Sequence, residues 1–386
     1  MAMSRRKFLQ GLGAVSVVVA GGGVYRAADQ GVFSVGNGPA YEPWTDWRTQ
    51  AAEGPLRLVQ SGILASNPHN SQPWRFDVSE NRIDVYADTA RSIGTVDPFL
   101  REMYTGVGCA LENMMLTAAA VGYTADIELM PSASDPSHTA TITLTEGTPN
   151  ASALYRAIPN RHTNRGAYDQ ERPVSQAMLD DMAALSDMND IRVMWLDTET
   201  QKTRFVDGTL AAAEALIADV QQQEDSDKWV RHTWDEVQQE GSGITYDAQQ
   251  MGVFLTTFAK MGTRLSPEAA GPFFVDATER HLAGATAFGI LLARDVMDNS
   301  QRLQGGRYWQ RLHLWGTDNG LGMQPLNQMC ERADRERQLE IEPTFTNVLA
   351  ELVNDSNWTA LMPFRFGYPI QQALPSPRRP VEAVLV

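Results

Sequence analysis

Cysteine is nearly missing from this chain of 386 residues: only Cys109 and Cys330 occur. One disulfide at most could form, so disulfides cannot be the framework of the fold, and a Cys-rich zinc site is excluded. Histidine is scarce too. His69, His138, His162, His232, His281 and His313 are scattered, with no HExxH or HxH and no ligand spacing to either cysteine, so no metal site is expected from local sequence. Positive charge is in deficit, with 32 Lys and Arg against 47 Asp and Glu, a net charge of -15. Nothing would offset repulsion from a phosphate backbone, which excludes nucleic acid as the expected partner. Long apolar runs are also lacking, because the one run near the start, Gly11 to Tyr25, carries five glycines in fifteen residues. It is too short and too helix-poor for a comfortable membrane span of about 20 residues.

What is present fits a globular protein with a large core: 43% of residues are hydrophobic and 20% charged, with a length suited to two domains or one large one. The opening Ser4-Arg5-Arg6-Lys7-Phe8-Leu9-Gln10 followed by the weak apolar run has the order of a targeting segment. Its paired arginines resemble the twin-arginine export signal, which implies recognition by the twin-arginine translocation machinery and a periplasmic or cell-envelope location. Residues 1–35 are therefore set apart as signal and linker.

Helical spacing from Trp44 to Ala65 stops at the loop Ser66-Asn67-Pro68-His69-Asn70. Alternation around Ile83 and Val85, over 125–129 and over 140–144 predicts half-buried antiparallel strands. Between them Val107, Ala110, Leu111, Met114, Met115 and Ala118 form one apolar helix face ended by Gly122. The second half repeats these ingredients. A helix from about 152 reaches Arg161, a strand covers 191–195, and a long helical stretch runs over about 203–240. An apolar run at 285–292 reads as a strand or a buried helix; a helix over 306–318 and a strand through Phe364, Phe366 and Tyr368 complete the half. The expected fold class is α+β, two halves at 36–150 and 151–386, each a sheet packed with helices. An insertion at about 221–272, polar but studded with large apolar residues, reads equally as a lid over a site or as a surface helix pair.

Two clusters carry chemistry. Asn160-Arg161-His162-Thr163-Asn164-Arg165 gathers guanidinium groups, an imidazole and a hydroxyl, donors suited to a terminal phosphate, although composition alone favours a solvated basic loop. Ser66 to Trp74, SNPHNSQPW, is dense in groups that donate and accept. Its asparagines could read a ring edge bearing N–H beside C=O, or simply make a helix-ending turn.

Asn70-Ser71-Gln72-Pro73-Trp74 resembles the NxQPW element of nitroreductase-like flavoproteins, and Arg161-His162-Thr163-Asn164-Arg165 is similar to their phosphate loop. Gly320-Leu321-Gly322-Met323-Gln324-Pro325-Leu326 resembles their GLG-x-x-P segment, and Phe366-Gly367-Tyr368-Pro369 with Arg378-Arg379-Pro380 their closing strand and last phosphate-binding arginine. The four motifs occur in order over most of 44–386. With all of them on one chain, the arrangement is similar to the Acg-type branch, in which two nitroreductase-like α/β sandwich halves form an intramolecular pseudo-dimer around one FMN. The resemblance implies Arg161, His162, Thr163, Arg165 and Arg378 at the FMN phosphate. It also implies Asn67 and Asn70 near the ring, flanked by Ser66 and His69, and backbone of Pro325, Leu326, Asn327 and Gln328 near the flavin N5. Two departures are visible: Ser66-Asn67 replaces a usual Pro-Ser, and Asn327-Gln328 a frequent Glu-Gly.

No side-chain nucleophile is singled out, and no catalytic residue is named. The resemblance implies an exported FMN-dependent oxidoreductase reducing a small acceptor such as a nitro-aromatic or a quinone, with an electron donor that the sequence does not identify. The alternative is a catalytically silent protein that binds or sequesters FMN under a closed lid. Monomeric pseudo-dimer and homodimer are both open.

Overall fold

The computed structural model describes residues 22–386. The twin-arginine motif and the apolar run up to Gly21 lie outside the described residues. The N-terminal half contains α1 (Gly22–Asp29), α2 (Glu42–Thr49), α3 (Leu56–Gly62), β1 (Trp74–Val78), β2 (Arg82–Ala87), α4 (Arg101–Val121), β3 (Tyr123–Leu129) and β4 (His138–Glu146). The helix expected over 44–65 is two short helices. Gly54 adopts a positive φ of 59° and Pro55 follows it, so the chain turns between α2 and α3. The predicted face of α4 is buried through Val107, Ala110, Leu111, Met114 and Ala118. The helix stops at Gly122, whose φ of 95° lets its N–H reach the carbonyl of Ala118.

The C-terminal half runs α5 (Ala153–Ala157), α6 (Gln176–Ala183) and β5 (Ile191–Trp195), then a long insertion. That insertion holds α7 (Glu199–Ala218), α8 (Val220–Asp227), β6 (Val230–Arg231), α9 (Trp234–Glu240), β7 (Ile244–Thr245), α10 (Val253–Met261) and α11 (Pro267–Ala283). The half closes with β8 (Ala287–Ala293), α12 (Asn299–Asp318), β9 (Gly322–Pro325), α13 (Gln328–Leu339), α14 (Thr344–Val353) and β10 (Thr359–Gly367). The apolar run near 290 is thus a strand, with Ile290, Leu291 and Leu292 fully buried. The helix expected over 203–240 breaks at Asp219, whose extended backbone ends α7 and whose carboxylate accepts the N–H groups of Gln221 and Gln222 to cap α8.

Each half has one four-stranded antiparallel sheet, in the orders β1-β2-β4-β3 and β5-β8-β10-β9. The two sheets share one topology, with a long helix (α4 or α12) crossing between the second and third strands of its own half. α4 and α12 pack on each other, and glycine sets how closely they do so. A Cβ on Gly108 would overlap the Leu303 carbonyl, and one on Gly306 that of Thr105. Ion pairs flank the contact: Glu112 on α4 accepts from Arg307 at 2.9 Å and Arg311 at 2.7 Å on α12. The duplication is uneven, since β1 and β2 are joined by a three-residue turn (79–81) where β5 and β8 are joined by the whole insertion.

After β10 the tail crosses back to the first half. Arg378 N–H donates to the Ala40 carbonyl at 2.7 Å, and Phe76 on β1 exchanges backbone bonds with Val384 and Val386. Residues 378–386 therefore sit on the N-terminal half, which carries Arg378 to the Ser66–Trp74 loop.

Candidate functional site

A cavity of about 360 Å³ lies where the halves and the insertion meet, within the size range of small-ligand sites. Its wall is drawn from three of the sequence motifs: Ser66, Asn67 and His69; Thr163 and Arg165; Pro325, Asn327 and Gln328. The insertion forms the roof through α8 and through one face of α11, where Gly271, Phe274, Thr278 and His281 recur at helical spacing.

One end of the cavity is cationic. Arg165 lines it, and Arg365 lies just behind, fully buried over the Tyr168 ring. The Arg365 guanidinium donates to Gln324 Oε1 and to the carbonyls of His281 and Gly166 at 2.7–2.8 Å, with no carboxylate among its partners. Burial, reinforced by Arg365, pushes the Arg165 guanidinium down to about 10. Burial and then Arg165 hold His69 at about 4, so its imidazole is neutral at pH 7. His281, also on the wall, is lowered well below its usual value by burial first and Arg365 second.

Two buried carboxyls also line the cavity, beside Arg101, which is paired with Asp334. Glu102, in the first turn of α4, and Glu331, in the first turn of α13, face one another across the two halves and both line the cavity. Burial, with the neighbouring carboxylate second, raises Glu102 well above the ordinary carboxyl range, and burial raises Glu331 to about 7. Two carboxyls this close hold a proton between them near neutral pH. Glu102 Oε1, Asn327 Oδ1 and Gln328 Oε1 are buried acceptors with no protein donor.

Five of the expected site residues do not line the cavity. Arg161 and Arg378 are buried and converge on the backbone just ahead of Ser66: both donate to the Leu64 carbonyl, at 3.2 and 3.5 Å, and Arg378 also to that of Ala65. His162 stacks edge-on to Trp44, whose ring also lies 4.8 Å from the Arg378 guanidinium. Burial, with Arg161 and Arg378 next, drives His162 down to about 3. No carboxylate pairs with either arginine, and Arg161 Nε, Arg378 Nε and His162 Nδ1 have no acceptor or donor. Such a group of unpaired buried donors suits an anion.

Asn70 is occupied in holding the loop. Its Nδ2 donates to the carbonyls of Gly243 and Pro377, and its Oδ1 accepts from Arg378 at 2.5 Å. Asn67, although on the wall, spends its amide locally, accepting from Gln72 N–H at 2.7 Å and donating to Ala65 O at 3.1 Å. Leu326 points into the second core, and its N–H bonds the Pro363 carbonyl, so it offers no backbone donor to a ligand. His69, Asn70 and Gln72 all have φ near +50°, a strained turn fixed by these bonds.

Glu102, Glu331, Gln324, His281 and Trp309 are wall residues that are not among the expected site residues. Gln324 lies inside the GLG-x-x-P segment. The others stand on helices whose spacing signals only a core, and only the tertiary fold brings them together. Among the described residues, no group of three or more His, Cys, Asp or Glu is arranged to hold a metal. Neither cysteine is a nucleophile here: burial pushes Cys330 up to about 12 and Cys109 higher still.

No family model matches the chain. Among named proteins, it is 31% identical over 119 residues to the putative NAD(P)H nitroreductase Rv3131 of Mycobacterium tuberculosis, covering 30% of this chain and 35% of that one. It is 36% identical over 84 residues to the putative NAD(P)H nitroreductase acg of the same organism, covering 22% of this chain and 25% of that one. The chain thus matches about a third or less of the length of these relatives. A solved nitroreductase with bound FMN from Desulfitobacterium hafniense DCB-2 is 14% identical, with a TM-score of 0.36 over 61% of this chain and 98% of that one. The two sequence likenesses support the nitroreductase-like reading of the motifs.

Proposed function

We propose that the chain binds FMN between its halves and serves as a nitroreductase-type oxidoreductase, reducing a small acceptor such as a nitro-aromatic or a quinone by two electrons. The observation that carries this reading is the convergence on one cavity of segments 66–69, 163–165 and 325–328, drawn from opposite halves. The donors gathered here fit an anionic cofactor: Thr163 and Arg165 on the wall, with Arg161, His162 and Arg378 behind it, have no acidic partner in a chain of charge -15. Bound FMN would supply hydride chemistry, and the protein the orientation and the electrostatics.

The chain's own part is then specific. Arg165 and Arg365 set a positive potential at one end of the cavity. Neutral His69 and His281 can each donate one hydrogen bond there. The Glu102–Glu331 pair keeps a proton on the cavity wall, available to a reduced acceptor near neutral pH.

A second reading, a sequestering protein that does not turn over, is favoured by how firmly the roof is tied. Asp225 accepts from Thr95 N and Oγ1 at 2.8 and 2.7 Å, and Asp219 accepts from Arg332 and Arg335 at 3.2 and 2.8 Å. Export by the twin-arginine machinery to the periplasm or cell envelope belongs to the proposal too, supported by Arg5, Arg6 and the run behind them. It would require an electron donor other than cytoplasmic nicotinamide. Two sheets of one topology on one chain support a pseudo-dimer that acts as a monomer, with a homodimer as the alternative.

The test is a visible spectrum of the purified protein, before and after anaerobic NADH, NADPH and dithionite. Flavin bleached by a nicotinamide supports turnover with an open site; flavin bleached by dithionite alone supports a different donor or sequestration. Colourless protein that takes up no added FMN refutes the cofactor assignment.

A further inference from the structure

One histidine of the roof is held so that only one of its ring nitrogens can carry the proton. Arg365 on β10 and Gln324 on β9 are cross-strand partners in register, so their side chains stand on the same face of the sheet. Arg365 Nε donates to Gln324 Oε1 at 2.7 Å. A guanidinium has only donors, so the atom it meets must be the amide oxygen, which leaves the amide nitrogen for the next contact. That nitrogen meets Nδ1 of His281, on α11, at 3.2 Å. An amide nitrogen likewise offers only N–H, so His281 Nδ1 must present its lone pair. The proton of the neutral ring is therefore on Nε2.

Two further observations give that proton a use. His281 Nε2 has no partner among the described residues and is not one of the sealed polar atoms, and the residue belongs to the cavity wall. The ring is also kept neutral, because burial first, then Arg365, Arg165 and Arg280, hold it well below the ordinary imidazole range. Thr278, one turn earlier on α11, does not compete, since its hydroxyl donates to the Phe274 carbonyl at 3.0 Å. This face of α11 thus offers the cavity an apolar ring, Phe274, and a single fixed N–H. That pairing suits a flat ring with an oxygen at its edge.

We propose that His281 Nε2–H orients the electron acceptor by hydrogen bonding to its oxygen, a quinone carbonyl or a nitro oxygen, with Gln324 and Arg365 as the positioning residues behind it. This deepens the proposed function and rests on it in one respect: the cofactor is held by the motif segments, all outside the insertion, so the roof faces the acceptor. No proton leaves His281. The bond fixes the acceptor's direction and draws charge towards its oxygen. It also discriminates, because a ligand presenting only N–H at this point sets donor against donor.

The experiment has two readouts, and neither is turnover. In protein with isotope-labelled histidine, long-range proton–nitrogen NMR spectra at neutral pH show which ring nitrogen carries the proton. The His281 signals are those that respond to Gln324→Glu and are missing from His281→Phe. In wild type the proton is expected on Nε2. Gln324→Glu keeps a partner for Arg365 but turns the group facing Nδ1 from donor to acceptor, so Nδ1 gains a proton. The second readout is equilibrium dialysis of FMN-saturated protein with two probes of one shape, 1,4-naphthoquinone and naphthalene. His281→Phe should lower the preference for the quinone by about three- to tenfold, the worth of one neutral hydrogen bond, while naphthalene binding holds. A wild-type proton on Nδ1 would overturn the proposal, and so would an unchanged preference in His281→Phe. Equal loss of both probes would overturn it too, because the ring would then serve packing alone. Failure of the cofactor reading is told apart by the absence of FMN uptake, since both readouts are scored equally on colourless protein.

Discussion

Replacing Glu331 with glutamine tests the carboxyl pair of the cavity wall without touching the cationic end. The carboxyl of Glu331 is raised from an ordinary 4.5 to about 7 by burial. A carboxyl raised in the folded state contributes stability in full below pH 4.5, where it is protonated whether or not the chain is folded. That stability is lost as the pH climbs through 7, because the unfolded chain ionises freely and the folded one resists. The loss amounts to about 3 kcal/mol once the climb is complete. Glutamine keeps the shape and cannot ionise, so Glu331→Gln should match wild type at pH 4.5 and exceed it by up to about 3 kcal/mol at pH 8. The interaction with Glu102 spreads the change over a wider interval. Urea unfolding of both proteins at pH 4.5, 6, 7 and 8 measures the difference, and subtraction cancels the neutral buried histidines and the other groups that do not interact with Glu331. A stability difference that stays constant with pH would refute the shared-proton account of the pair.

Three other perturbations have defined outcomes. Gly306→Ala places a methyl group against the Thr105 carbonyl, so the thermal midpoint should fall by the equivalent of about 1 to 3 kcal/mol or more; calorimetry showing no change would mean that α4 and α12 are not in tight contact. Arg161→Ala/Arg378→Ala removes two buried guanidiniums that have no carboxylate partner, each worth roughly 1.5 to 3 kcal/mol to an anion. FMN affinity by fluorescence titration should drop several hundredfold or more, and unchanged affinity would remove both residues from the phosphate site. Asp219→Asn weakens the cap of α8 and the ties to Arg332 and Arg335 by about 1 to 2 kcal/mol, so amide exchange should accelerate over 220–227 while β8 and β10 stay protected.

Element type was legible wherever one physical signal dominated. The face of α4 and the alternation of β2, β3 and β4 follow directly from apolar spacing. The break at Asp219 was hidden because α7 and α8 share a polar, helix-compatible composition, and the cap depends on arginines more than a hundred residues away. Gly54-Pro55, by contrast, was a local signal that the helical spacing around it masked. The phosphate-loop and GLG-x-x-P segments both reach the cavity wall, yet the sequence does not show which residue of a motif faces the cavity and which supports it. Asn70 illustrates this, since its amide is held by Gly243, Pro377 and Arg378, partners that only the returning tail and the insertion supply. Glu102 and Glu331 carried no signal at all, being ordinary first-turn acids until the two halves close.

The glycine contact between α4 and α12 has a bearing on traffic. With Gly108 and Gly306 each set against a carbonyl of the opposite helix, the halves have no room to approach and no free path to slide, and the flanking Glu112 pairs resist their parting. Passage into and out of the cavity is thereby assigned to the roof, whose polar ties to the body include those of Asp219, Asp225 and His69. Exchange of a bound molecule should keep time with local opening of α8 and α11, and remain indifferent to changes that strengthen or weaken the two sheets.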